Sequence, residues 1–317
     1  MTRKLLFFLF LAVLLVGLVT PIFALERVKL GSSVRLAAHF FLPPMAGEER
    51  GFWKENGLEV EWVPFAGTVP QMNAVAARAI NIGLATVTDP PMAAERGLPV
   101  IMVMELLPSQ AINIWVRADS PYRRVEDLKG ARVAATTLGG PMHAFGRIMV
   151  AAHKIEKDVR FVGAGGVPQM LAGIRAGAFE AIINTFGTTV GLKLEGIVRD
   201  IATLGDYLPK PWTDQEVFAR KDFAQSKPDV VRKMLKAMLQ SFDFMRENPR
   251  WTIDKLKSVQ GVSEQAAKLV YDENKFTITG KIDRKAVENV RRLLIEYGIL
   301  TDKAPAVDDL FTNEYLS

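Results

Sequence analysis

The chain has 317 residues, with 40 Lys and Arg against 35 Asp and Glu, and no cysteine. That composition excludes a disulfide framework, a thiolate metal site, a cysteine nucleophile and a lipid-modified cysteine. A net charge of +5 with interspersed signs and no basic run gives no footprint for nucleic acid, and the length exceeds one comfortable core and suggests two lobes.

Arg3 and Lys4 precede an uncharged run, Leu5–Val19, and a break at Thr20-Pro21 ahead of Ala24. This is the plan of a secretory leader cut after Ala24, so residues 1–24 are expected to be a signal peptide and the mature chain to be periplasmic. Carried through Leu25, the same run would barely suffice as a membrane anchor.

Val28–Ser33 reads as a first strand, followed by a loop holding His39, Phe40, Pro43 and Pro44 and by the end of a helix, Glu48–Asn56, stopped at Gly57. Leu58–Phe65 alternates as a half-exposed strand, Gly67-Thr68-Val69-Pro70 opens a helix, and Ile80–Ala85 is a short buried strand. Thr86–Pro91 opens another helix, and strands are expected at Val100–Glu105 and Ala111–Arg117. A second alternating series runs to about Gly205, with strands at Ala131–Thr136, Arg160–Gly163, Ala181–Asn184 and Ile197–Thr203. Strands alternating with helices specify mainly parallel sheets.

Within that series Gly139 and Gly140 lead from strand 131–136 into a helix whose first position is Pro141. A helix start behind glycines offers backbone N–H groups and a dipole of one sign, which suits an anion or a polar oxygen; the glycines could equally be a plain turn. Val69-Pro70-Gln71-Met72 and Val167-Pro168-Gln169-Met170 each open a helix after a strand and a glycine, which suggests two lobes of like construction. Beyond Trp212 the pattern turns helical, with Gln215–Arg220 as a strand returning to the first lobe. The expected division is 25–117 for the first lobe, 118–212 for the second, and 213–317 for the return strand and C-terminal helices, with Ala111–Arg117 and Gln215–Arg220 as hinge crossings.

His39, His143 and His153 stand far apart without ligand spacing, so no metal site is expected. No nucleophile elbow, Walker loop or dinucleotide fingerprint occurs, which leaves no catalytic residue and no cofactor to assign.

Five blocks, Glu49–Val60, Arg78–Gly83, Gly97–Val100, Asp127–Ala134 and Arg175–Ala181, carry a family resemblance. Together they resemble the periplasmic solute-binding proteins of ABC importers for nitrate, sulfonates and taurine, a group sharing its fold with thiamine-pyrimidine precursor binders and synthases. The resemblance implies an α/β fold, a type II two-lobed binding protein that hinges closed on a small molecule, acts as a monomer and docks on a membrane permease. By position it implies a cleft lined by Ser33, His39, Phe40, Thr68, Thr88 and Asp89 from the first lobe and by Gly139, Gly140, His143, Asn184, Thr185 and Phe186 from the second. Asp89 either caps the helix at Pro90 or faces the ligand, in which case an amine or a pyrimidine ring is favoured over an anion. The remaining alternative is an enzyme of the pyrimidine-synthase branch, which would require a pyridoxal phosphate lysine and a cytoplasmic address.

Overall fold

The strands, in chain order, are β1 (Glu26–Ser32), β2 (Leu58–Pro64), β3 (Ile82–Thr86), β4 (Val100–Leu107), β5 (Ile112–Arg117), β6 (Arg132–Ala135), β7 (Arg160–Gly163), β8 (Ala181–Thr185), β9 (Val198–Thr203) and β10 (Gln215–Arg220). The helices are α1 (Ala38–Arg50), α2 (Phe52–Glu55), α3 (Thr68–Ala76), α4 (Asp89–Glu95), α5 (Pro141–Ala152), α6 (Val167–Arg175), α7 (Phe186–Leu194), α8 (Lys221–Ser226), α9 (Pro228–Glu247), α10 (Pro249–Gln260), α11 (Glu264–Asn274), α12 (Arg284–Glu296) and α13 (Val307–Leu310). The structure is a computed structural model that describes residues 24–316 except 110, 275 and 277. Apart from Ala24, the leader expected at 1–24 lies outside the described residues.

Two five-stranded sheets form, ordered β2-β1-β3-β10-β4 and β7-β6-β8-β5-β9. In the first, β1 pairs in parallel with β2 and β3, while β10 runs antiparallel between β3 and β4. In the second, β6 pairs in parallel with β7 and β8, and β5 runs antiparallel between β8 and β9. Each sheet is therefore mixed, with four strands in one direction and one against them. The reversed strand is in each case the one that has just crossed from the other lobe.

This pairing moves the first boundary. Ile112–Arg117, expected in the first lobe, belongs to the second sheet, with Trp115 opposite Ile182 on one side and Asp200 on the other. The chain crosses between Leu107 and Ile112, and again between Thr203 and Gln215. An apolar run reads as a strand whichever sheet receives it, and the loop at Ala118-Asp119-Ser120-Pro121 is a turn inside the second lobe. The two crossings run side by side: the Asp214 N–H donates to Leu107 O at 3.0 Å and the Val87 N–H to Asp214 O at 2.7 Å.

The first helix also differs from expectation. α1 starts at Ala38 and carries Pro43 and Pro44 inside it, where sequence alone places a loop. Proline removes helical hydrogen bonds, but here the Trp53 indole N–H donates to Pro44 O at 3.2 Å and Phe40, Phe41 and Leu42 are fully buried, so packing overrides propensity. The apolar stripe of α9, Val230, Met234, Met238, Phe242 and Met245, lies in the same core.

The C-terminal helices do not keep to the first lobe. α12 lies behind both lobes: its Val287, Val290 and Leu294 share a core with Met92 and Met102 of the first lobe and Ile114 and Phe145 of the second. Asn289 Nδ2 donates to Pro211 O at 2.8 Å and the Arg147 guanidinium to Tyr297 O at 2.9 Å, tying this helix to a crossing and to α5.

The lobes repeat, one residue out of step with the sequence match. Gly67 and Gly166, both near φ +154°, precede α3 and α6, and Ile82 and Ala181 begin β3 and β8, each pair 99 residues apart. The Val-Pro-Gln-Met segments are 98 apart. In structural register Gln71 matches Met170 and Val75 matches Ile174, and all four are fully buried. The equivalence rests on burial positions and backbone, not on the four shared letters.

Candidate ligand cleft

Parallel strands bring their C-terminal ends, and the helix starts that follow them, to one side of each sheet. The two sides face one another across a narrow cleft that is partly open to solvent. The first lobe contributes Ser33, Phe40, Thr68, Thr86 and Gln215, and the second Thr136, Met142, Asn184, Thr185 and Thr188. Five helices begin at this cleft, because Ala37, Thr68, Pro141, Val167 and Thr185 all line it at or beside the first residues of α1, α3, α5, α6 and α7. None of the residues lining it is charged; Arg35 lines an adjoining pocket that shares Ser33, Gly67, Thr136 and Val167 with it. The lobes approach closely: a Cβ on Gly67 would come within 3.2 Å of Thr137 Cγ2 across the gap. Its positive φ also favours glycine.

Of the residues expected in the site, the fold brings Ser33, Phe40, Thr68, Asn184 and Thr185 together. Ser33 Oγ is buried and has no protein partner. Asn184 Nδ2 donates to Thr189 Oγ1 at 2.9 Å, which fixes the amide against α7. His39 is displaced into an adjoining chamber. Thr88 and Asp89 are buried behind the wall. Asp89 makes no cap bond to its own helix, whose N-cap is Thr88; it instead accepts a hydrogen bond from Thr68 Oγ1 at 3.0 Å. It therefore neither caps nor lines: it holds a cleft threonine from behind.

Gly139, Gly140 and His143 stand away from the lining. The Gly139 N–H donates to His143 Nδ1 at 3.0 Å, and the Gly140 N–H to Thr137 O at 3.3 Å. Two donors expected to face a ligand are thus used within the turn, because a histidine at the third helical position can reach back to the preceding loop. The helix start still faces the cleft, through Pro141 and Met142. The Phe186 ring packs on Trp115, with centroids 6.4 Å apart, and the Phe186 backbone N–H donates to Ala111 O at 2.7 Å, which makes it part of the wall against the first crossing.

Electrostatics follow from burial. Asp89 is pushed up to about 7, chiefly by burial and against hydrogen bonds from Thr68 and the Thr86 backbone. His39, clasped by Phe242 and Phe276 with centroids 5.7 and 5.1 Å away, is held down to about 3 and is a neutral imidazole. Glu216, buried beside Glu105 on the neighbouring strand and hydrogen-bonded to Thr213 Oγ1, is raised well above the usual carboxyl range by burial.

Sequence reasoning missed Thr136, Thr188 and Gln215. Thr188 had a signal, since it stands one helical turn after Thr185, with the two hydroxyls 2.8 Å apart. Gln215 is the first residue of a strand read only as a crossing.

Among solved structures, the alkanesulfonate-binding protein SsuA from Xanthomonas axonopodis pv. citri bound to MOPS superposes with a TM-score of 0.78 at 16% identity, covering 90% of this chain and 98% of that one. The periplasmic aliphatic sulphonate binding protein SsuA from Escherichia coli gives 0.74 at 17%, covering 90% and 91%. The periplasmic nitrate-binding protein NrtA from Synechocystis PCC 6803 gives 0.72 at 17%, covering 92% and 87%. At such identities these likenesses establish the two-lobed periplasmic binding protein fold. A search of curated proteins finds no match. The NMT1/THI5-like family profile matches residues 40–251, two thirds of the sequence, and the chain belongs to that family.

Proposed function

We propose that this protein is the solute-capturing component of an ABC importer, exported by residues 1–24, which closes its lobes on a small polar organic molecule and hands it to a membrane permease. The observation that carries this reading is the convergence of five helix starts and hydroxyls from both lobes on one cleft spanned by two adjacent crossings. Helix N-termini favour electron-rich groups, and without lysine or arginine in the lining they are the main source of positive potential. A sulfonate-like or nitrate-like oxyanion suits such a site, as it suits the proteins of this fold named above. Closure would act by hinge motion at residues 108–111 and 204–214.

The uncharged lining also favours a second ligand class, a neutral ring such as a pyrimidine precursor, held by the same hydroxyls and amides. The enzyme alternative fits poorly, because pyridoxal phosphate chemistry needs a lysine and the residues lining the cleft include none. The test is the mass of solute released from natively purified protein, followed by calorimetry and X-ray scattering with and without it. Binding without compaction would refute capture by lobe closure.

A further inference from the structure

Thr68 is half-buried in the cleft wall, and its Oγ1 donates to Asp89 Oδ2 at 3.0 Å. A threonine hydroxyl has one proton to give. While Asp89 is a carboxylate, which can only accept, that proton is committed to it and Thr68 offers the cleft nothing but lone pairs. A protonated Asp89 reverses the bond. Its other oxygen, Oδ1, is buried without a partner, so a proton placed there would be an unsatisfied donor, whereas on Oδ2 it meets Thr68 Oγ1. The hydroxyl is then free to turn its own proton into the cleft.

Resting on the capture reading above, we propose that Asp89 is a positioning residue that sets the direction of the Thr68 hydroxyl: as an acid it donates to Thr68 and releases the hydroxyl proton to an oxyanion in the cleft, and as a carboxylate it withdraws that proton. With no cation in the lining, one hydroxyl proton is a large part of what the cleft offers an anion. The exchange lies near neutral pH, because burial raises Asp89 to about 7 against hydrogen bonds from Thr68 and the Thr86 backbone. Neither α3 nor β3 carries a charge. The charged groups on the other elements packed around Asp89 are Glu95 of α4 itself, Glu105 of β4, Asp214, Glu216 and Arg220 from the second crossing into β10, and Asp308 and Asp309 of α13. None of these is among the influences that set the Asp89 carboxyl.

The test is calorimetry from about pH 5.5 to about pH 8.5 with nitrate and with ethanesulfonate, both of which stay fully charged throughout. Wild-type affinity should fall by about tenfold or more across this range, as expected for the loss of a hydrogen bond to a charged group. Binding near pH 7.5 should take up about half a proton per site, read from buffers of different ionisation enthalpy. Asp89→Asn, with circular dichroism to verify folding, should bind with one affinity throughout and take up no proton. Thr68→Val should hold the weak affinity at every pH, and Thr68→Ser should restore the wild-type profile. A flat wild-type profile would overturn the proposal. So would a profile that persists in Asp89→Asn, which would belong to another group such as Glu273, raised by partial burial to about 7. A profile as steep in Thr68→Val as in the wild type would overturn it too, by making the effect a through-space repulsion. Failure of both anions to bind at about pH 5.5 would overturn Thr68 as an oxyanion donor, while the copurified solute and its compaction test decide the capture reading separately.

Discussion

Asp89 offers the sharpest test, because its carboxyl is 1% exposed, has one side-chain partner in Thr68 Oγ1 and leaves Oδ1 without a partner. Burial raises it from 3.8 to about 7. Below about pH 3 the group is largely protonated in both the folded and unfolded chain and carries no charge to bury. As pH rises the unfolded chain ionises first, the folded state then holds the extra proton, and stability falls until the folded carboxyl also ionises near 7. The total loss is on the order of 4 kcal/mol. Asp89→Asn retains an oxygen for the Thr68 hydroxyl but places an amide where Oδ1 lacks a partner, at a cost of about 1–3 kcal/mol at every pH. The difference between variant and wild type should therefore shift in the variant's favour by roughly 4 kcal/mol from pH 4 to 8, measured by urea denaturation of ligand-free protein at each pH. Other titrating groups cancel in that difference. Parallel curves across this range would refute the buried, neutral carboxyl.

The remaining expectations concern neighbouring groups. His39 is held at about 3 by burial, so the stability it confers is present above pH 6.5 and lost as pH falls toward 3; the acid limb of the wild-type stability curve should flatten in His39→Leu, and an unchanged limb would contradict the buried neutral ring. Asn184→Ala removes the 2.9 Å bond to Thr189 and should cost about 1 kcal/mol of stability together with several-fold of ligand affinity; calorimetry showing no change in affinity would take Asn184 out of the cleft. Gly140→Val places a Cβ 2.6 Å from Thr137 Oγ1, so denaturation should show a loss of about 1–3 kcal/mol with affinity nearly unchanged, whereas reduced affinity at full stability would return this turn to the binding surface. Amino-terminal sequencing of exported protein should begin near Leu25, and a full-length membrane-bound species would contradict the leader.

Periodicity made most of the architecture legible. Val28–Ser33, Leu58–Phe65 and Gln215–Arg220 lie within a residue or two of β1, β2 and β10, because apolar alternation bounded by glycine reports a strand directly. Pairing was not legible: nothing in Ile112–Arg117 distinguishes one sheet from another, and only the partners at Ala181–Thr185 and Val198–Thr203 decide it. The prolines of α1 misled for the opposite reason, since their local cost is real and is outweighed by contacts with Trp53 and α9 that are distant in sequence or invisible to propensity. In the cleft, Ser33 and Asn184 at strand ends and Thr68 at a helix start could be read from the chain, but which way a neighbouring side chain turns could not. Asp89 faces Thr68, and the imidazole of His143 turns back on Gly139, through hydrogen bonds that form only once the backbone is placed.

The reversed strand in each sheet has a consequence for how the molecule is made. The second sheet draws all five strands from residues 112–203, a continuous stretch that can complete itself as soon as it emerges. The first sheet cannot: β10 must enter between β3 and β4, so until residue 220 is available those two strands expose unsatisfied edges. In a chain that emerges amino end first, the strands of the inner sheet can thus pair before those of the outer one, which keeps a slot open for its last strand, while α12 completes the inner lobe's core later still. The interval between them is the period in which this protein would most need a chaperone, and it is set by topology before any ligand is met.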